Sequence, residues 1–503
     1  MPISFHRGRF KRLTMLALTA GMLPLASCNK DRFIDVVDPD VINPVNISSA
    51  AAAEALRAGA LSRLNSATTG QTRPVIGSLD EGAFFYGGAL ADELRSGDTF
   101  VQRDQADQRL IQHTNSAMTV IAHQINRTRT AAVQAIPALR QYLPLAVSSV
   151  AQMYWVRGYA ENMLAENFCN GTPLSSISES NDIVYGEPET NVEVYERAIA
   201  SFDTAVQNAP AGDSRADTVR ILSAIGRGRA LMNLGRFAEA GAAVAGVPDN
   251  FKFFSFHSIS TTENQVWALN NSAGRWVVAE SEGGVGLNYA TANDPRVPVC
   301  VGGSTGCRAH DPGQTRTTSF DNNFGPGTLS GPFYVQLVYP TRESDAVIVG
   351  GVEARLLEAE AFLRGGDVVN WLARLNYLRA NFPTFKQPSN PCNASGTQVT
   401  GCPTIPVGGT LLPPLTDPGT QTAREDLMFR ERAFWLYMTG HRLADMRRLV
   451  RPISAGGFGR PESTVFPTGA YSKGGAYGTD KMLIVPQAEE NNPEFTGCLD
   501  REP

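Results

Sequence analysis

Few residues in this sequence have the types and spacing that catalysis requires. Residues 424–451 include Glu431, His441 and Asp445, which could exchange protons, and residues 302–306 read Gly-Gly-Ser-Thr-Gly, matching the G-x-S-x-G pattern of a nucleophilic serine. That pattern lies in a loop between two cysteines, whereas a nucleophile elbow needs a strand before it and a helix after it. The sequence has no P-loop, no His-Glu-x-x-His and no dinucleotide fingerprint, so it predicts no cofactor or metal site and no enzyme. A glycosidase carboxylate pair stays open, because Asp and Glu are plentiful.

The charged C-terminal segment is better interpreted as a structural brace. Apolar residues recur at helical spacings through 424–451, which predicts one long helix that is apolar nearly all round and therefore buried. Buried charges need partners. Arg442 and Asp445 are three residues apart and should pair, as should Asp445 and Arg448. The residues expected to have such structural roles are Glu431, Arg432, Arg442 and Asp445.

Binding of a sugar is the chemistry for which the sequence does offer residues. Sugars need aromatic faces for their C–H surfaces and amides or carboxylates for their hydroxyls. The candidates are Trp267, Asn270, Asn271, Trp276 and Tyr289 in a central loop-rich segment, with Phe84, Phe85 and Tyr86 as a second lip. Trp276 follows Gly274 and Arg275 and could face outwards. The alternative is that both tryptophans fasten the loops onto the body of the protein.

The N-terminus has the pattern of an export signal. Residues 7–12 hold four basic side chains, and an apolar run at 13–25 follows that is too short to span a membrane. Leu25-Ala-Ser-Cys28 comes next and resembles a bacterial lipobox. We therefore expect a signal peptide at 1–27, a lipid on Cys28 that anchors the protein to a membrane surface, and a tether at 28–48. An ordinary cleavage site that precedes a cysteine by chance is the alternative.

Charge and cysteine content fit an exported globular protein. The formal charge is −5, and loss of a leader with four basic and no acidic residues would make it −9, which argues against nucleic acid as a partner. Six cysteines remain after Cys28. Two pairs flank short Gly/Ser/Thr loops and are expected to form disulfides, Cys300 with Cys307 and Cys392 with Cys402; Cys169 with Cys498 is left by elimination. Zinc is the competing interpretation, but no Cys-x-x-Cys is present.

Periodicity predicts a mostly all-α fold. Helices are expected at 50–64, 104–135, 145–168, 192–208 and 218–234. Residues 229–240 and 358–380 are similar to the helical hairpins of tetratricopeptide repeats, so we expect a scaffold of such hairpins. Loop insertions at about 249–349 and 381–422 would form a loop-rich face with short strands at 266–269, 276–279 and 334–339. Residues 49–503 are expected to form a single domain.

Several segments together resemble motifs of the SusD/RagB lipoproteins. Glu431-Arg432…Leu436…Gly440-His441-Arg442…Asp445-Met446…Arg448 is similar to the family's ER-x-x-x-L-x-x-x-G-x-R-x-x-D-L-x-R block. Further similar segments follow the family's order at 28–39, 294–296, 355–379 and 482–493. The chain departs from the pattern at Trp435 and Thr439, where the family often has Glu, and at 443–444, where it often has aromatic residues.

The resemblance implies a non-catalytic lipoprotein on the surface of the outer membrane. Such proteins capture a nutrient, often a glycan or oligosaccharide, and deliver it to a TonB-dependent β-barrel transporter. Two alternatives from the residues remain, a cell-surface glycan hydrolase on a helical scaffold and a helical-repeat adaptor that binds other proteins. The resemblance does not transfer a particular ligand, because the chain is a divergent match.

Overall fold

Helices make up most of the structure, and short strands lie between them, as the sequence predicts. A computed structural model describes residues 47–71, 81–177, 182–302, 307, 332–392, 400–403 and 410–503. Ser48–Pro503 form one compact unit. The predicted leader, Cys28 and nearly all of the predicted tether lie outside the described residues, as does Ser304 of the G-x-S-x-G pattern.

The helices in chain order are α1 (Ala50–Thr68), α2 (Ala83–Leu90), α3 (Val101–Asp107), α4 (Ser116–Tyr142), α5 (Val147–Asn167), α6 (Asn191–Gln207), α7 (Ser214–Asn233), α8 (Phe237–Val244), α9 (Gly351–Arg364), α10 (Val368–Ala380), α11 (Phe382–Phe385), α12 (Gln421–Trp435) and α13 (Arg442–Val450). Neighbouring long helices pack in the order α1, α4, α5, α6, α7, α8, α9, α10. This serial packing confirms the predicted scaffold of helical hairpins.

Side-chain caps and small residues explain why these helices form and approach closely. Thr190 and Glu193 make a reciprocal capping box at the start of α6, and Asp213 caps α7 by accepting from the Ala216 backbone N–H. Phe202 of α6 fills the space left by Gly158 of α5 and Gly226 of α7, where any Cβ would collide with its ring. The two glycines therefore let three scaffold helices interlock.

The strands are β1 (Leu94–Ser96), β2 (Thr172–Pro173), β3 (Ser176–Ile177), β4 (Ile183–Val184), β5 (Pro188–Glu189), β6 (Lys252–Ser255), β7 (Trp276–Val278), β8 (Val299–Val301), β9 (Tyr334–Gln336) and β10 (Ala346–Gly350). They form antiparallel pairs, β1 with β7, β2 with β5, β3 with β4, β6 with β10 and β8 with β9. The predicted strands near 276 and 334 are confirmed. The predicted strand at 266–269 is wrong, because that segment leads into a π-helix, Trp267–Ser272.

The C-terminal segment is two helices rather than the single helix that periodicity predicts. The chain breaks between α12 and α13, where Met438 has a φ of 57° and Gly440 a φ of 79°. The Met438 backbone N–H donates to the carboxyl group of the buried Glu93 at 3.0 Å. A Cβ at Gly440 would collide with the Phe84 ring. The apolar run therefore turns back onto α2 and the segment after it.

Two further local predictions need correction. The long helix predicted at 104–135 is interrupted, because α3 ends at Asp107 and the Asn115 side chain caps a new helix by accepting from the Ala117 N–H at 3.0 Å. Phe84, Phe85 and Tyr86 lie in the buried helix α2 and not in a loop.

The charged residues of the brace are buried and paired, with one partner different from the prediction. Asp445 binds Arg432 and Arg448, each at 2.8 Å, whereas Arg442 forms a two-bond pair with Asp92 at 2.6 and 2.8 Å. Arg442 therefore does not pair with Asp445, because it points across to the segment after α2. Burial alone would raise the pKa of Asp445, but the two guanidinium groups hold it well below its ordinary value.

Glu431, the fourth predicted structural residue, joins the brace to the first loop insertion and to α10. Its carboxylate accepts from Arg296 at 2.6 Å and from Arg379 at 2.7 Å. Arg296 also pairs with Asp294 at 2.7 Å. Because all these groups are buried or nearly so, removing one partner would leave an uncompensated charge in the interior.

All three predicted disulfides are present. They join Cys169 to Cys498, Cys300 to Cys307 and Cys392 to Cys402, with Cα–Cα distances of 5.8, 5.7 and 5.5 Å. The first closes a loop of 329 residues and holds the C-terminal segment against the end of α5.

Candidate functional site

The structure places most of the predicted binding residues in the interior. Trp276 is fully buried, so the expectation that it faces outwards is wrong. Its ring packs against Phe85 and Tyr86 at centroid distances of 6.2 and 5.5 Å. Phe84 is also buried, against Gly440. These aromatic residues form the core that fastens the loop-rich segment to α2, which is the alternative stated for Trp276.

Asn270, Asn271 and Tyr289 are likewise buried. The Asn270 amide donates to the Trp276 carbonyl at 2.8 Å and accepts from the Gln336 N–H at 2.9 Å. The Asn271 amide exchanges hydrogen bonds with Gln336 at 2.7 and 2.9 Å. Tyr289 packs against Phe434 and Tyr437 of the brace. The two amides thus satisfy the backbone of strands too short to do so alone.

Trp267 is the predicted residue that borders an open cleft. The cleft has a volume of about 380 Å³, within the usual range for small-ligand sites. Trp267 is itself 5% exposed, so little of its indole is open to solvent. The other lining residues are Ile259, Glu263, Ala268, Ser272, Thr341, Arg342 and Glu343. We call this the Trp267 cleft.

Two segments far apart in sequence are joined to build the Trp267 cleft. The Asn264 backbone N–H donates to the Arg342 carbonyl at 2.8 Å, and its side chain donates to the Ser344 carbonyl at 2.7 Å. The same side chain accepts from the Trp267 N–H at 3.1 Å and so starts the turn that leads into the π-helix. Asn264 therefore holds the backbone of Trp267, on one wall of the cleft, to the 341–344 turn on the other wall. π-Helical turns are rare and are often found at functional sites.

The cleft presents an aromatic surface covered by a charged one. The guanidinium carbon of Arg342 lies 5.7 Å from the centroid of the Trp267 ring. The same guanidinium group forms an ion pair with Glu263. Arg342 is 47% exposed as a side chain, so it can move without disturbing the core. Glu343 is exposed on the same turn, and Ile259 is 57% exposed at the rim. Apolar, hydroxyl, carboxylate and guanidinium groups thus meet in one concave surface.

Sequence reasoning missed every residue of this cleft except Trp267. Glu263 and Arg342 are 79 residues apart, and neither belongs to a recognisable motif. The signal that was available is local: Asn264 lies three residues before a tryptophan, the spacing of a side-chain cap.

Features that would indicate other functions are not found in the part of the chain that the structure describes. No group of three or more His, Cys, Asp or Glu side chains is placed to hold a metal ion there. No described helix combines the length and the apolarity needed to cross a lipid bilayer. Glu431 and Asp445 of the brace are held in buried ion pairs with arginines.

The fold is that of SusD-like proteins. A SusD-like carbohydrate-binding protein from Bacteroides fragilis has a TM-score of 0.59 at 12% identity, over 89% of this chain and 99% of that one. A SusD superfamily protein from Parabacteroides distasonis has the same TM-score and identity, over 89% and 98%. A SusD homologue from Bacteroides thetaiotaomicron has a TM-score of 0.56 at 13% identity, over 90% and 98%. No protein-family model and no curated protein sequence matches the chain. The resemblance inferred from the sequence motifs is thereby confirmed for the fold.

Proposed function

We propose that this protein is a non-catalytic surface lipoprotein that captures a glycan or oligosaccharide in the Trp267 cleft. The observation that carries the proposal is the cleft itself, in which an indole, an exposed isoleucine and several hydroxyl, carboxylate and guanidinium groups line about 380 Å³. A sugar presents apolar C–H faces and a dense set of hydroxyls, so it needs this mixture. The SusD-like fold, shared with a carbohydrate-binding protein, supports the same ligand class.

The two apolar surfaces of the cleft, Ile259 and the Trp267 ring, would contribute to binding in different ways. Ile259 is open to solvent and offers an apolar contact at once. The Trp267 ring is available for stacking only when Arg342 moves aside, which its exposure allows. Hydroxyl groups of the sugar would then meet Ser272, Thr341 and the carboxylates at hydrogen-bonding distances.

The proposal includes a membrane anchor and a transporter. The lipobox-like segment that ends at Cys28 supports lipidation, and the resemblance to SusD/RagB lipoproteins supports delivery to a TonB-dependent β-barrel in the outer membrane. A lipid on Cys28 would hold the protein at the membrane surface without a spanning helix.

A binding screen tests glycan capture. The protein without its leader is titrated calorimetrically with a panel of neutral and anionic oligosaccharides, and the best ligand is repeated with Ile259→Asp. That change removes an apolar contact and places an extra carboxylate in the cleft, so affinity should fall at least about tenfold, or about 1.4 kcal/mol. Ile453→Asp is the matched control, since Ile453 is 68% exposed and does not line the cleft. Loss of affinity in both variants, or in neither, would contradict the assignment of the site.

Purification from native membranes tests the transporter partner. Mild detergent should release the protein together with a β-barrel of the outer membrane, and Cys28→Ala should shift it from the membrane to the soluble fraction. Turnover of an oligosaccharide by the pure protein, abolished by one carboxylate change, would instead favour the hydrolase alternative.

A further inference from the structure

The charges that line the Trp267 cleft are unequal in number and already partly paired. Glu263 and Glu343 supply two carboxylates, and Arg342 is the one cationic side chain among the described lining residues. Among its contacts with described residues, Arg342 forms an ion pair with Glu263 and lies over the Trp267 ring. The Glu343 carboxylate is exposed and makes no ion pair with another described residue. The lining residues that the structure describes therefore carry a net negative charge, and their guanidinium group is already paired.

We infer that the Trp267 cleft selects neutral oligosaccharides over uronic-acid oligosaccharides, with Glu343 as the specificity-determining residue. This inference rests on the proposed glycan capture. A uronate entering the cleft would bring a carboxylate beside Glu343. Arg342 is the cation among the described lining residues, and to neutralise the uronate it would have to turn away from Glu263. Like charges at such distances repel, and a carboxylate that loses its partner becomes less stable. A neutral sugar needs neither exchange, because its hydroxyls can donate to both carboxylates.

The overall charge acts in the same direction. The full chain has a formal charge of −5, so its long-range field does not attract polyanions. At physiological salt this field is screened within about 8 Å, so most of the discrimination should come from the cleft itself.

The test uses one ligand in three forms. The tightest neutral oligosaccharide from the binding screen is compared with the same oligosaccharide after oxidation of its primary hydroxyls to carboxylates, and with the methyl ester of that product. At low salt the acid form should bind at least about tenfold more weakly than the neutral form, whereas the ester, which has a similar shape and no charge, should recover most of the affinity. Added salt should narrow the difference between acid and neutral forms.

A variant assigns the effect to one residue. Glu343→Gln should reduce the ratio of the affinity for the neutral form to the affinity for the acid form by about threefold or more. Glu187→Gln alters an exposed carboxylate that does not line the cleft, so it is the control and should leave this ratio unchanged. An acid form that binds as tightly as the neutral form, or a screen in which only anionic glycans bind, would overturn the inference while glycan capture stands. A screen in which no glycan binds would overturn the proposed function instead.

Discussion

The disulfide between Cys169 and Cys498 should contribute more to stability than either local disulfide. It closes a loop of 329 residues, whereas Cys392–Cys402 closes one of 10. The chain-entropy relation gives about 6 kcal/mol for the long loop and about 3 kcal/mol for the short one, as upper limits at 25 °C. Removing the long-range disulfide therefore gives the unfolded chain far more conformational freedom than removing the short one does.

The two disulfides allow a matched comparison. Cys169 and Cys392 are both fully buried, and Cys498 and Cys402 are both partly exposed, so the two double alanine variants alter side chains of matched exposure. The variants are Cys169→Ala/Cys498→Ala and Cys392→Ala/Cys402→Ala, and the measurement is equilibrium unfolding in urea. The long-range variant should lose about 3 kcal/mol more than the local one.

The local structure adds to this expectation. The Cys169 backbone N–H donates to the Leu483 carbonyl at 2.9 Å, and the Leu499 N–H donates to the Asn170 carbonyl at 2.8 Å. These two hydrogen bonds form only while the disulfide keeps the C-terminal segment beside α5. Loss of the disulfide should therefore also make the chain after residue 480 more susceptible to proteolysis. Equal destabilisation in the two variants, with no added proteolysis, would refute the reasoning.

Three further predictions concern the interior. Gly440→Ala should destabilise the protein by about 2–5 kcal/mol, because the left-handed φ and the collision with Phe84 act together. Gly366 has a similar φ of 77° but open space around it, so Gly366→Ala is the control and should lower the melting temperature clearly less. Arg442→Met should lower the unfolding free energy measured in urea by about 3–5 kcal/mol, because it leaves the Asp92 carboxylate unpaired. Arg442→Lys should restore only part of this free energy, since one ammonium cannot replace the two hydrogen bonds of the guanidinium, and full recovery would contradict this prediction. Burial raises the pKa of Glu93 from 4.5 to about 8. The neutral form of Glu93 therefore contributes fully to stability below pH 4.5, and this contribution is lost as the pH rises through 8. Glu93→Gln should flatten the fall in unfolding free energy between about pH 5 and 8, and an unchanged slope would contradict this prediction.

The helical scaffold could be predicted because its signals are local. The apolar spacing of the helices and the repeat-like segments at 229–240 and 358–380 are properties of single hairpins, and the structure confirms them. The two cysteine pairs that lie close together in sequence, 7 and 10 residues apart, are local in the same sense. The long-range pair followed by elimination once the others were assigned.

The C-terminal break could not be predicted from periodicity. Met438 adopts a left-handed conformation that a methionine rarely has, and it does so because Glu93 accepts its backbone N–H. That carboxylate lies 345 residues away in sequence. The motif therefore identified the fold while its local structure depended on a distant partner.

Trp267 is the one described lining residue of the cleft that the sequence analysis predicted, for a related reason. An aromatic residue in a loop has the same sequence pattern whether it meets a ligand or fastens the loop to the body. Trp276 does the second, because the loop-rich segment needs its own small core against Phe85 and Tyr86. Trp267 borders the cleft because Asn264 joins its segment to the 341–344 turn.

The crystal structure of a complex with the best glycan from the screen tests the central claim most directly. The account predicts a sugar ring in the Trp267 cleft, in contact with Ile259 and Ser272, with Arg342 displaced from the indole. A sugar bound at another surface, with the Arg342–Trp267 contact unchanged, would contradict it.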